Sequence, residues 1–548
     1  MGVNLAALMD ALADAMPDRE AIIFRDKTFT YRELSARSSR LANYLKAHGG
    51  LRTPTPRDQL ENWQSGQDHI ALYMYNGNEY PESIIGTLKA RAVPVNINYR
   101  YVEEELLHVM QDADIRVLIY HGCFADKVTA LRDHMPDLKL LIQVDEGSGA
   151  ALLPGAISYE DALAAAEPTP PADLSPDDLY MIYTGGTTGM PKGVLWRQGD
   201  FNAAMLGAKE KDGTPTPDIE TLVRRAKRNP PVRSLAAAPY MHGSGQLVSF
   251  VAWLNGNTVV LLDKVQRFDA AEMLYIAARH DVNTIGLVGD AFARVIADEL
   301  EAGDYHLPHL RLLVSAGAIF SRSVKDRIIK ILPDVSVFDA FGSTESGPQS
   351  VNVTSRDTKS DDQNFKFTHN GIALNAGKNG FLTVGEDEPG WFAATGTIPL
   401  GYLNDREKTE KTFPTVRGTR YSVPGDRVRL REDGSMEFLG RDSVTINSGG
   451  EKIYAEEVER AVLHHPGVFD TVVSSRPNDR FGAEVVAIVE LRHGANATED
   501  ALNTTAGKHI ARYKLPRAYL FVDKVRRGQN GKADYRWAKE LAEASLTS

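Results

Sequence analysis

"YTGGTTGMPKG", Tyr183 to Gly193, interleaves glycines with three threonines and a single lysine. Glycine lets the backbone approach a ligand closely, threonine adds hydroxyl donors, and lysine supplies a mobile positive charge. Together they describe a phosphate cradle. The preceding "DDLYMIY" reads as a short buried strand, so the loop is expected to leave a strand end, where α/β proteins commonly place ligands. The spacing from Gly185 to Lys192 departs from GxxxxGK[ST], because Met190 and Pro191 intervene, which disfavours an ordinary P-loop NTPase. A glycine-rich run alone is as often a plain turn, so the rest of the chain must decide.

At 548 residues, 43% hydrophobic and 25% charged, the chain has the composition of an ordinary globular protein and the length of two or more domains. Its net charge of -11 argues against a broad nucleic-acid surface, which needs clustered Lys and Arg. Cys123 is the one cysteine, which excludes an intrachain disulfide and the usual structural zinc site. No apolar run reaches the roughly 18 residues that span a bilayer, and the N-terminus shows no basic region followed by an apolar core. Ala6 stands where a myristoylation signal wants Ser or Thr. A cytoplasmic protein is expected.

From His69 the pattern alternates between strands ("HIALYMY", "VPVNINY", "IRVLIYH") and helices ("EYPESIIGTLKARA", "VEEELLHVMQDA"), as in βαβ units on a largely parallel sheet. In the second helix Val102, Leu106, Val109 and Met110 are expected to form one apolar stripe. Leu51 to Gln67 reads as a polar surface insertion, and Glu167 to Asp178 as a Pro-rich connector. Beyond "FLGRDSVTINSGGEKIY" the elements shorten. Val458, Ala461 and Val462 lie at helical spacing, "VFDTVVSS", "AEVVAIVEL" and "YLFVDKV" read as strands, and "EDALNTTAGKHIARY" as a helix. The fold class expected is α/β: a large N-terminal domain over residues 1–441 with mainly parallel sheets in layers, and a small mobile α+β domain over 442–548.

"YTGGTTGMPKG", "FGSTE" (Phe341 to Glu345), "YSVPGD" (Tyr421 to Asp426), "GRDSVTINSGGEKIYAEEVE" (Gly440 to Glu459) and "GQNGKADYR" (Gly528 to Arg536) follow one another in the order seen in the adenylate-forming superfamily. In these motifs the chain resembles the acyl-CoA synthetases, luciferases and nonribosomal adenylation domains of that superfamily over essentially its whole length. The resemblance implies an acid, ATP, Mg2+ and coenzyme A as reactants and cofactor. Forming an acyl-adenylate drives a carboxylate onto a phosphate, and at about 4 Å and an effective dielectric near 20 each unit repulsion is of order 4 kcal/mol. Positive charge must offset it.

By that resemblance Thr184, Thr187, Thr188 and Lys192 would hold the β and γ phosphates, with Gly185, Gly186 and Gly189 of the same loop also at the nucleotide. Glu345 would be the magnesium carboxylate, with Thr344 at the α-phosphate. Ser315, Ala316, Gly317 and Ala318, with Asp339, Ala340, Phe341, Gly342 and Ser343, match the segments around adenine. Asp426 matches the ribose-binding aspartate and Arg441 its support. Lys532 matches the lysine that reaches the acyl carboxylate and α-phosphate. Ser448, Gly449 and Gly450 would line the pantetheine path. His242 in "PYMHGSG" would stand beside the acyl carboxylate as a gate. Lys532, Thr188, Glu345 and His242 are thus the catalytic candidates. His464 and His465 read as helix-end residues without a third ligand at metal spacing.

Departures from the pattern are Gly185 where serine is usual, Ser443 at the hinge position and Val444 after it. No Asp occurs between Ala238 and Leu247 to pair with a substrate amine, so an acid without an α-amine is favoured. The "YTGGTTG" variant, Trp196–Arg197 and "ARYKLPR" with "DYRWAKE" resemble bacterial synthetases for long or bulky acids, including steroid side-chain acids. Alanines 236 to 238 and glycines 243 and 245 are expected to leave pocket volume. The leading reading is an AMP-forming acyl-CoA ligase. Its alternatives are a fatty-acyl-AMP ligase serving a carrier protein, an oxygenase on the same fold, and a non-catalytic nucleotide sensor. The oligomeric state, a homodimer included, is left open.

Overall fold

The strand–helix alternation that begins at His69 builds a five-stranded, wholly parallel sheet in the computed structural model, in the order Val93–Asn96, His69–Tyr73, Ile115–His121, Leu140–Val144, Ala156–Ser158. The structure describes all residues except 1, 171, 185–189, 319, 359–363, 366–369, 387, 449–450, 529–530 and 547–548. Every residue of His69–Tyr73 is buried, the continuous burial expected of a parallel strand covered on both faces. A second sheet has eight strands, its six central ones parallel and an antiparallel strand at each edge. A seven-stranded antiparallel sheet follows. Helix Tyr31–His48 packs on helix Glu79–Lys89 and starts in a capping box, with Glu33 N–H donating to Thr30 Oγ and Thr30 N–H to Glu33 Oε2. Such a cap contributes about 1 kcal/mol.

Two local expectations change. Helix Glu103–Asp112 begins one residue after Val102, which caps it and stays 63% exposed, so the apolar stripe consists of Leu106, Val109 and Met110 only. Helix Glu499–Ala506 stops at Gly507 well short of Tyr513. The glycine-rich loop joins two antiparallel strands, Leu179–Thr184 and Lys192–Arg197, in a small sheet with Gly401–Tyr402. The loop thus leaves a strand end, as expected, and returns into a strand paired antiparallel with the first.

The stretch from Leu51 to Gln67 is mostly exposed, as read, but it does more than decorate the surface. Asn404 N–H donates to Trp63 O at 2.9 Å and Arg406 lies over the Trp63 ring, so the insertion buttresses the turn around Asp405. At its end the Gln67 side chain accepts from Leu179 N–H, pinning the first hairpin strand.

The smaller C-terminal domain has its own core of Val458, Ala461, Val462, Val473, Val489, Leu502 and Ala506. Val468–Asn478 pairs antiparallel with Gly482–Leu491, and Ala518–Val522 adds to the latter in parallel. His464 and His465 end the Ala455–Leu463 helix, each bonded to nearby backbone. No helix of the described residues is long and apolar enough to cross a membrane.

Candidate active site

The stem of the glycine-rich hairpin is rigidly held. Thr184 pairs with Lys192 and Tyr183 with Gly193. Gly185, Gly186, Thr187, Thr188 and Gly189 lie outside the described residues. Asn96, buried at the end of its strand, accepts from Tyr183 N–H (2.9 Å) and donates to both Tyr183 O (3.1 Å) and Met241 O (2.6 Å). One amide therefore locks the stem to the segment that carries His242. Lys192 forms an ion pair with Asp405, which also caps the Arg406–Thr412 helix through Lys408 N–H. Burial alone raises the Asp405 carboxyl, but the Lys192 ammonium together with the Lys408 N–H and charge holds the group below its ordinary value.

The nucleotide-base segments meet through strand register. Leu312–Ala316 runs parallel to Ser336–Ser343, placing Ser315 beside Asp339 and Ala316 beside Ala340, ahead of Gly317 and Ala318. Buried Ser315 Oγ accepts from Gly289 N–H at 3.0 Å, and Asp339 binds Lys325 at 2.9 Å. The Phe341 ring packs on Phe438 (4.7 Å) and Phe392 (5.7 Å), so the core supports the aromatic face expected for adenine. Beyond the bulge between Phe341 and Gly342 the chain turns through Ser343, Thr344 and Glu345. Trp196 Nε1–H donates to Thr344 O at 2.9 Å, Ser422 Oγ–H to Glu345 O at 2.5 Å, and Tyr402 O–H to Glu345 Oε1 at 3.0 Å. Three strands from distant parts of the chain thus fix this turn, and Tyr402 among them orients the Glu345 carboxylate.

Asp426 and Arg441 are register partners on neighbouring strands, with Nε 3.3 Å from Oδ1. That contact lacks hydrogen-bond alignment, which leaves a buried carboxylate oxygen able to accept from a ligand. Burial raises the Asp426 carboxyl, with Arg441 opposing, and Asp426 in turn raises the guanidinium. Lys532 keeps accessible surface, and its ammonium is partly desolvated within electrostatic reach of Arg441, Glu345 and Asp426. That desolvation and the nearby Arg441 lower it to about 8, against the pull of Glu345 and Asp426. His242 lies close enough to feel Lys532, and burial with that charge lowers it to about 3. Its Nε2 is buried with no partner. A histidine held neutral through the physiological range suits a gate or hydrogen-bonding wall and not a proton shuttle.

Other expectations fare differently. Ser448 ends the strand Thr445–Ser448 and pairs with Glu451, so "SGG" stands between two strands; Gly449 and Gly450 lie outside the described residues. A Cβ on Gly245 would come within 2.6 Å of the Ala238 and Pro239 carbonyls, so that glycine serves close backbone approach and leaves no pocket volume. Among the described residues His121, Cys123 and Glu146 group their ligand atoms within 4.8 Å. His121 Nδ1 accepts from Tyr75 N–H, however, which puts the ring proton on Nε2 and leaves no lone pair for a metal. Asn96, Tyr402, Asp405 and Lys408 escaped the reading of the sequence. Only Asn96 had a signal, a polar residue closing the otherwise apolar "VPVN".

A family model described as AMP-binding enzyme matches residues 9–375, and one described as AMP-binding enzyme C-terminal domain matches 457–532. The chain is 43% identical to the medium-chain acyl-CoA ligase Mig of Mycobacterium avium, covering 98% of both chains. It is 38% identical to a 3-oxocholest-4-en-26-oate–CoA ligase of Rhodococcus rhodochrous, over 98% of this chain and 96% of the other. Among solved structures, ATP-bound MatB from Rhodopseudomonas palustris superposes with a TM-score of 0.80 at 23% identity, over 99% of both chains. With the parallel-sheet domain, the smaller C-terminal domain and the converging segments, these matches place the chain in the AMP-binding enzyme family, among its acyl-CoA ligases.

Proposed function

We propose that the protein activates a medium-chain, long-chain or bulky ring-bearing hydrophobic acid as its adenylate and then transfers the acyl group to CoA. The observation that carries this reading is the convergence of Glu345, Asp426, Arg441 and Lys532, drawn from both domains, within electrostatic reach of one another. The names of the relatives support the acid class, medium-chain for one and a steroid acid for the other. The absence of an aspartate from Ala238 to Leu247 supports an acid without an α-amine.

In this reading Asp426 receives the ribose hydroxyls on its unsatisfied oxygen. Lys192 exchanges Asp405 for phosphate, with Lys408 nearby adding charge. The Glu345 carboxylate, oriented by Tyr402, fits a hard cation; bound Mg2+ would neutralise phosphate charge. Lys532 bridges the acyl carboxylate and α-phosphate, while neutral His242 walls the carboxylate from water. Ser448, Gly449 and Gly450 serve the pantetheine arm once the domain beyond residue 441 turns. We place the reaction in the cytoplasm, on the single cysteine.

CoA-dependent AMP release should be measured across straight-chain acids of increasing length, ring-bearing acids and amino acids. Turnover confined to one hydrophobic class is expected; turnover with amino acids alone would overturn the proposal. Because the Lys532 ammonium is the working form, kcat/KM for adenylation should fall as pH rises through about 8. Lys532→Arg, which stays charged, should abolish that fall whatever its residual rate. A wild-type profile flat to pH 10 would exclude the assignment.

A further inference from the structure

The loop that carries Lys532 into the cleft has a seat, and the seat is one helix, Gly289–Ala302. Gly531 sits against its first turn with φ of +68°, and a Cβ there would lie 2.9 Å from Val288 O and 3.2 Å from the Ala291 side chain. One turn further, Arg294 projects from the same helix into the domain boundary. It is 4% exposed, bonds Asp290 at 2.6 Å, and places Nη1 3.4 Å from Asp470 Oδ1 of the smaller domain. Asp470 in turn accepts from Arg527 at 2.6 and 2.8 Å. Arg527 closes the circuit by donating to Gly531 O at 3.2 Å. The loop is drawn tight by Gly528 N–H to Lys532 O at 2.8 Å.

The charges are arranged so that this boundary can open. Asp290 and Arg294 neutralise each other within one domain, and Asp470 and Arg527 within the other. Asp290 is further satisfied by Ser321 N–H and Oγ–H. At this charge cluster, separating the domains breaks the 3.4 Å contact and the approach of Arg294 to the Phe469 ring, while Arg294 keeps Asp290 and Asp470 keeps Arg527. An unpaired buried charge is what makes breaking most buried ion pairs costly. A contact between two self-neutralised pairs is strong enough to orient and weak enough to release.

We infer that Arg294, with Asp470 and Arg527, is a positioning device that holds the Lys532 loop in place for the first half-reaction and lets go for the second. It rests on the adenylation reading above. Helix Gly289–Ala302 also supports the adenine segment through Gly289 N–H and Ser315, so a seated lysine and a formed base site share one support.

Two variants test this. Arg294→Ala removes the cross-domain charge, and Gly531→Ala unseats the loop from Val288 without touching the ion pairs. Each should lower acid-dependent pyrophosphate exchange at least tenfold while thioester formation from supplied acyl-adenylate and CoA stays within twofold of wild type. Arg294→Lys should recover part of the exchange. Equal losses in both half-reactions, or no loss in either, would overturn the inference. A separate readout needs no chemistry: amide hydrogen exchange of residues 527–534 in the unliganded enzyme should quicken about tenfold in Arg294→Ala. An unchanged exchange rate would overturn it as well. If wild type itself made no adenylate, the functional reading would fail, and the amide-exchange result would still decide the seat.

Discussion

Lys532→Ala is expected to slow adenylation ~100- to 1000-fold and to leave thioester formation from supplied acyl-adenylate within about threefold of wild type. The lysine is a cation that the smaller domain brings beside Glu345, Asp426 and Arg441. Removing a preorganised donor aimed at developing oxyanion charge costs about 2.7–4 kcal/mol, and that range sets the expected loss. The asymmetry follows from the reaction. Two anions approach only in the first step, whereas in the second a thiolate meets an already activated carbonyl. Separate assays of the two half-reactions on one preparation check it; equal losses in both would mean that the residue only stabilises the fold.

Asp426→Ala should raise KM for ATP far more than KM for the acid. The aspartate is buried, and its Oδ1 lacks an aligned donor although Arg441 stands 3.3 Å away. Losing hydrogen bonds from a ribose diol to a charged acceptor costs about 2–3 kcal/mol, or ~30- to 150-fold in affinity. Asp426→Asn keeps one acceptor oxygen and should fall between. Steady-state kinetics with ATP varied at saturating acid, compared with the reverse titration, separates the two KM values. A change in KM for ATP below threefold would remove Asp426 from the nucleotide site.

What was legible in the sequence is what one segment can carry by itself. The strands His69–Tyr73 and Ile115–His121 are largely apolar runs, and the smaller domain's Ala455–Leu463 helix shows its buried face in Val458, Ala461 and Val462. Asp426 and Arg441 stood out by their motifs, and the structure makes them register partners. Partners made by folding were not legible. Lys192 meets Asp405 across 213 residues, Glu345 meets Tyr402 across 57, and Asn96 reaches Met241 across 145. No local pattern marks such pairs. Val102 was misjudged because an apolar residue at a helix start extends the helical spacing although it points to solvent. Gly245 resembled pocket space because sequence does not show whether a glycine faces a cavity or a carbonyl.

The most direct test of the central claim is exchange of labelled pyrophosphate into ATP, with and without acid and in the absence of CoA. Exchange that requires a hydrophobic acid, proceeds without CoA and collapses in Lys532→Ala is the predicted result. Exchange that ignores the acid, or that persists in the lysine variant, would contradict the assignment of this cleft as the place where the adenylate forms.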